Sequence, residues 1–133
     1  DTTAEIVQTV AHLTGVTPRI AFVPHSAPLV RGIYATVIAH PKRAVSAAEI
    51  RAMLDRSYGA EPFVRVVDSP PDVGVVAGSN HADLYGHAEN GAVVILCALD
   101  NLVKGMAGQA VQNLNVMMRW PEHVGLDFPG MRP

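Results

Sequence analysis

The sequence predicts an α+β fold, a mixed or mainly antiparallel sheet covered by helices. Three observations predict it. Asn90-Gly91 sits between two strand-like runs and reads as a hairpin turn, because both positions tolerate positive φ. The run from Ala92 to Leu99 is apolar throughout and long enough for one buried strand. Two boxes, Thr2-x-x-Glu5 and Ser46-x-x-Glu49, each open a stretch with helical spacing.

Taken in order, Thr2 to Glu5 caps a first helix whose apolar positions are Ile6, Val7, Val10 and Leu13, with Gly15 as its stop. Arg19 to Val23 reads as a strand and Arg31 to Ala39 as a longer one, joined by the rigid turn Pro24 to Pro28. Pro41 to Ala44 is a loop. The second helix places Ile50, Met53, Leu54 and Tyr58 on its buried face and stops at Gly59. Phe63 to Val67 is a short strand, Ser69 to Asp72 a proline-rich loop, and Val73 to Ala77 and Ala82 to His87 two further strands. A third helix spans 101–119, with Leu102, Val103, Met106, Ala110, Val111, Leu114 and Met117 or Met118 on one stripe. After Trp120, three prolines mark an extended tail.

That last helix carries Gly105 and Gly108, and each glycine costs about 1 kcal/mol relative to alanine. The two together predict that another backbone or a flat ligand comes very close. Gln109, Gln112, Asn113 and Asn115 add uncharged hydrogen-bonding groups around the helix.

The chain has 133 residues, enough for one domain, here 1–133. Apolar residues make up 49% and charged ones 17%, which excludes intrinsic disorder. Net charge is −2, without a basic run, and aromatics reach only 5%, which argues against a nucleic-acid surface. No apolar segment is long enough to cross a bilayer, and no signal peptide is visible, so the expected location is cytoplasmic. Cys97 is the only cysteine and reads as a small buried hydrophobe. The histidines His12, His40, His81, His87 and His123 are scattered, and no metal site is expected, since His81, Asp83 and His87 do not close one. Ser79-Asn80 reads as a turn with local side-chain bonding. The opening at Asp1 without methionine suggests a fragment, a processed piece or a trimmed chain.

Several ordered motifs resemble the C-terminal half of N-acetyl-gamma-glutamyl-phosphate reductase, the NADPH-dependent enzyme of arginine biosynthesis. They are Phe22-Val-Pro-His through Arg31-Gly-Ile to Thr36, Ala60-Glu-Pro-Phe-Val64, Val76-Ala-Gly-Ser-Asn80, the segment 98–119 and Trp120-Pro-Glu-His-Val-Gly-Leu126. The resemblance implies the fold of the C-terminal domain of glyceraldehyde-3-phosphate and semialdehyde dehydrogenases, which serves substrate binding and dimerisation. It implies that the helix 101–119 packs on a nucleotide-binding domain absent from this chain. The implied partners are an acyl-phosphate substrate, that missing N-terminal half and further copies of the chain. The implied cofactor is NADP(H).

The family's thiolate nucleophile and its Gly-x-Gly-x-x-Gly fold lie in the missing half, so the chain alone is expected not to turn over substrate. By resemblance, Asn101 sits at the nicotinamide end of the cofactor, where a carboxamide pairs with a carboxamide; Asp100 or Asn101 would equally serve as helix cap. Lys104 and Gly105 lie in the first turn, where a cation and free N–H groups favour an anion, although a solvated lysine is an equal reading. Arg31 is a candidate clamp for a substrate carboxylate or phosphate, against a strand-end arginine in an ion pair. His25, fixed in a proline turn, is a candidate for substrate binding or proton transfer, against a histidine bonding a loop carbonyl.

The N-terminus departs from the family. Glu5-Ile-Val-Gln8 matches the end of its His-Arg-His-x-Pro-Glu-Ile-x-Gln segment, but Thr2, Thr3 and Ala4 stand where the nearer histidine, its neighbour and the proline belong. That departure sustains two alternatives: a non-catalytic oligomerisation or regulatory module, and a relative acting on a different acyl phosphate.

Overall fold

The computed structural model describes residues 2–131. Its centre is a four-stranded sheet in the order β1-β4-β3-β2, formed by β1 (Ile33–Ala39), β2 (Val64–Val66), β3 (Ala82–Glu89) and β4 (Ala92–Leu99). β4 pairs antiparallel with both β1 and β3, and β2 runs parallel to β3, so the sheet is mixed and the α+β expectation holds. Asn90 and Gly91 take φ of 49° and 80°, which closes the β3–β4 hairpin as the dipeptide predicts.

Cross-strand partners share a face, so Val37, Ile95 and Gly86 form one row. Gly86 meets Ile50 of α2 (Ala47–Tyr58), whose approach leaves no room for a side chain there. Ile50 is almost fully buried, and burying such a side chain contributes about 1.5–3 kcal/mol. The capping box forms as the sequence predicts: Ser46 Oγ accepts from Glu49 N–H at 3.2 Å, and Glu49 accepts from Ser46 N–H at 2.9 Å. Arg43 adds an ion pair, and these bonds hold the exposed Glu49 carboxyl down at about 2. At the sheet's other edge, the Arg65–Asp83 cross-strand pair is a two-pronged ion pair at 2.6 and 3.0 Å. The remaining core comprises Phe63, Val76, Ala77, Ala82, Ala98 and Leu126.

Four local expectations are corrected. Thr2 already lies within α1 (Thr2–Thr14) and so does not stand ahead of the helix as its cap. Arg19 to Val23 forms no strand: it runs beside β1 across an open groove and joins no ladder. Val73 to Val76 is a helical turn, α3, because Asp72 caps it by accepting from Gly74 N–H at 2.8 Å, and a short apolar run does not by itself distinguish strand from helix. The segment 101–119 is not one regular helix either. Val103–Ala107 is a π-helical turn, with Gly105 N–H bonded to Asp100 O and Ala107 N–H to Leu102 O, and α4 (Gly108–Met117) follows it. α4 ends where Arg119 adopts φ of 58° and Trp120 N–H reaches Asn115 O. The tail then returns, burying Leu126 and bonding Met131 N–H to Ala77 O at 2.7 Å; Pro133 lies outside the described residues.

Candidate functional site

The end of β4 delivers Asp100 and Asn101 beside the start of β1. Asp100 is fully buried and receives bonds from Gly78 N–H at 2.6 Å, Leu102 N–H at 2.8 Å and Val103 N–H at 2.6 Å. It is therefore the cap of the π-turn. It also holds Arg31: Nη2 donates to Oδ1 at 3.3 Å, and Nε lies 2.9 Å from Oδ2 without the alignment of a hydrogen bond. Burial pushes the Asp100 carboxyl up, but the Gly78 and Val103 N–H groups, Arg31 and the Leu102 N–H together outweigh it and hold it below the usual range. Asp100 is thus ionised, and it is the group that sequence reasoning missed: it was legible as a cap but not as the partner of a residue 69 positions away.

Arg31 is the ion-paired arginine of the simpler reading, yet its side chain remains 31% exposed. Among the described residues its Nη1 group makes no hydrogen bond, so one prong of the guanidinium is open to a ligand. Asn101 Oδ1 accepts from Gly32 N–H at 2.7 Å. Its Nδ2 donors make no bond among the described residues, and Oδ1 keeps a second lone pair, so this carboxamide still fits another carboxamide. Gly32 itself has φ of 103° and lies against Val73.

The other named residues are occupied within the chain. Lys104 Nζ donates to Gln112 Oε1 at 2.8 Å and lies over the Phe63 ring at 5.7 Å, and burial pushes its ammonium down. Gly105 is exposed, and a Cβ there would stand 3.2 Å from Asp100 O and 3.5 Å from Leu99. His25 is exposed, with Nδ1 3.0 Å from Val23 O, as expected of a histidine bonding a loop carbonyl. It lines a groove of about 540 Å³ with Phe22, Ile33 and Tyr34, and a smaller one of about 330 Å³ with Gly32. Arg31, Gly32, Asp100 and Asn101 are therefore brought together, His25 lies at their margin, and Lys104 points into a separate network.

That network explains the glycines and amides. Gly108 packs against Asn80, which is fully buried and donates from Nδ2 to Gln112 Oε1 at 3.1 Å. Gln112 donates onward to Glu122, and buried Asn115 donates to the carbonyls of Glu122 and Val124, each at 2.9 Å. The helix docks on its own chain by this polar, notched face. Its apolar stripe faces outward: Met106 is 62% exposed, Leu114 49% and Met117 79%. Of the two expected close neighbours, another backbone or a flat ligand, Gly108 meets this chain's own Val103 carbonyl and Asn80 side chain, while Gly105 is exposed. His81 adjoins the network, tilted on Phe63 at 5.5 Å, and burial with nearby Arg65 pushes its imidazole down. Among the described residues, no three His, Cys, Asp or Glu side chains gather as metal ligands. Among them too, no helix is long and apolar enough to cross a membrane.

Residues 2–101 match the model of a family described as semialdehyde dehydrogenase, dimerisation domain. The chain is 44% identical to an N-acetyl-gamma-glutamyl-phosphate reductase of Desulforamulus reducens. It is 42% identical to proteins of that name from Micrococcus luteus and Methanosarcina mazei. Each match covers 98% of this chain but 39% of the relative, so the chain spans about two fifths of the length of these proteins.

Proposed function

The chain belongs to the semialdehyde dehydrogenase dimerisation-domain family, and we propose that it is the C-terminal substrate and dimerisation part of an NADPH-dependent N-acetyl-gamma-glutamyl-phosphate reductase acting in the cytoplasm. The observation that carries the reading is the outward apolar stripe Met106, Leu114, Met117, together with the open Arg31–Asn101 corner. A helix that turns its polar face inward and its apolar face outward fits a second folded unit. The named relatives are longer proteins that would supply that unit.

In this reading Arg31 binds an anionic group of the acyl phosphate through its free prong, and Asn101 meets the nicotinamide carboxamide. When bound, NADPH supplies the hydride, and the thiolate that takes the acyl group comes from the nucleotide-binding half. Lys104 and Gly105 support the cofactor corner by holding the π-turn rather than by touching phosphate. His25 stands at the groove mouth, where it would contact substrate. Homo-oligomerisation uses β1, whose Val37 and Ile38 are 57% and 62% exposed in a strand with a ladder partner on one side only.

The test fuses this chain in place of the matching C-terminal part of the Desulforamulus reducens reductase. Phosphate-dependent NADPH formation from the semialdehyde is then followed, with and without Thr2→His. Turnover in the Thr2→His fusion supports the reading; a soluble fusion inactive in both forms refutes it. One observation favours a second reading, a non-catalytic assembly module: positions 2–4 of α1 carry no imidazole. A fusion that oligomerises but binds neither NADPH nor substrate would establish that alternative.

A further inference from the structure

We propose that Asp100 is a positioning residue that aims the Arg31 guanidinium at the substrate and locks it in register with Asn101; this inference rests on the reductase reading above. Two adjacent residues hold two adjacent residues. Asp100 bonds the Arg31 side chain, and Asn101 bonds the Gly32 backbone N–H, so the Asp100-Asn101 pair grips the Arg31-Gly32 pair at two points. The substrate-side cation and the cofactor-side amide therefore cannot shift independently.

The carboxylate is itself immobile, because three backbone N–H groups from two separate segments fix both of its oxygens. Gly78 belongs to the turn after α3, and Leu102 and Val103 to the π-turn. A cap needs only the latter two bonds. The contact with Arg31 is surplus to capping, and Arg31 is the one charged group among the donors to Asp100. With Asp100 beside Nε and Nη2, Nη1 is the nitrogen of this 31%-exposed side chain left without a hydrogen bond among the described residues. A guanidinium held in this way presents a carboxylate or phosphate with a donor whose orientation is already set, which lowers the ordering cost of binding.

The test uses the active fusion described above, with Asp100→Asn, Arg31→Met and the double variant. In Asp100→Asn the KM for one anionic substrate is expected to rise about tenfold, with the KM for NADP+ unchanged within twofold. A rise confined to inorganic phosphate identifies the phosphoryl group as the target of Arg31; a rise confined to the semialdehyde identifies its carboxylate. In the Arg31→Met background, Asp100→Asn is expected to add nothing to the same KM. Equal effects on all KM values, or additive effects in the double variant, overturn the proposal in favour of a purely structural cap. If Asp100→Asn does not fold, Asp100→Glu, which keeps the charge and displaces the carboxylate, replaces it. A rise confined to the KM of one anionic substrate supports the proposal, and equal effects on all KM values overturn it. A fusion inactive before any of these substitutions fails the reductase reading itself, and this inference falls with it.

Discussion

Replacing Gly108 by alanine opposes two effects of known sign. Intrinsic propensity favours alanine in a helix by about 1 kcal/mol. The surroundings oppose it: a Cβ would be driven into Asn80 Oδ1 and would stand 2.8 Å from both Val103 O and Val103 Cγ1. The Val103 carbonyl is backbone at the junction of π-turn and α4, and it cannot swing aside as a side chain would. Overpacking of this kind costs about 1–3 kcal/mol. Displacing Asn80 also weakens its bond to Gln112, about 1 kcal/mol more. The net expectation is a destabilisation of about 1–3 kcal/mol, or several degrees in Tm. Urea unfolding of the 133-residue chain reads it as a lower midpoint at constant m. Because one of the clashing groups is a side chain, Asn80→Ala should relieve part of the penalty, with a coupling of at least about 0.5 kcal/mol in the double-mutant cycle. A Gly108→Ala chain as stable as the parent, or more so, would refute the filled notch and return the glycine to the role of a ligand-facing gap.

Gly32→Ala combines a φ of 103° with collision against Val73 and should cost about 3 kcal/mol, read as loss of soluble chain or a collapsed melting transition. Ser46→Ala should cost about 1 kcal/mol through the lost cap of α2, measured by urea titration. Asp100 has a folded pKa below its unfolded value, so the stability it contributes is complete above the ordinary carboxylate range. It is lost as pH falls through the lowered folded value, and Asp100→Asn should therefore unfold less steeply with acid below about pH 4. Val37→Lys with Ile38→Lys should shift the chain toward monomer in sedimentation velocity; an unchanged oligomer would remove β1 from the interface.

The hairpin and its strands were legible because they depend on neighbours in sequence: Asn90-Gly91 and the uninterrupted run to Leu99 carry their own instructions. The capped helix at Ser46 was legible for the same reason. Val73 to Val76 was not, since four apolar residues carry no period and Asp72 decides their conformation. The last helix is the instructive case. Leu102, Met106, Ala110, Val111, Leu114 and Met117 of its apolar stripe are exposed, but the π-turn sets Val103 against Gly108, and the inward face is the one bearing Gly108, Gln112 and Asn115. Periodicity identifies two faces, and which one turns inward depends on Asn80, Glu122 and Val124, brought from elsewhere. Arg31 and Asn101 were legible only through family motifs, and Asp100's hold on Arg31 is a tertiary contact that no local pattern encodes.

The strand Ile33-Tyr-Ala-Thr-Val-Ile-Ala39 contains no charge, proline or glycine, and it ends the sheet with one flank outside the ladder. Such a heptad is the composition from which cross-β fibrils grow, and it lacks the lysine or bulge that commonly guards a terminal strand. Assembly with a like subunit would therefore serve as protection as well as architecture. Protomers kept apart at high concentration should thicken into thioflavin-positive material, and a charge placed at Val37 should keep them clear.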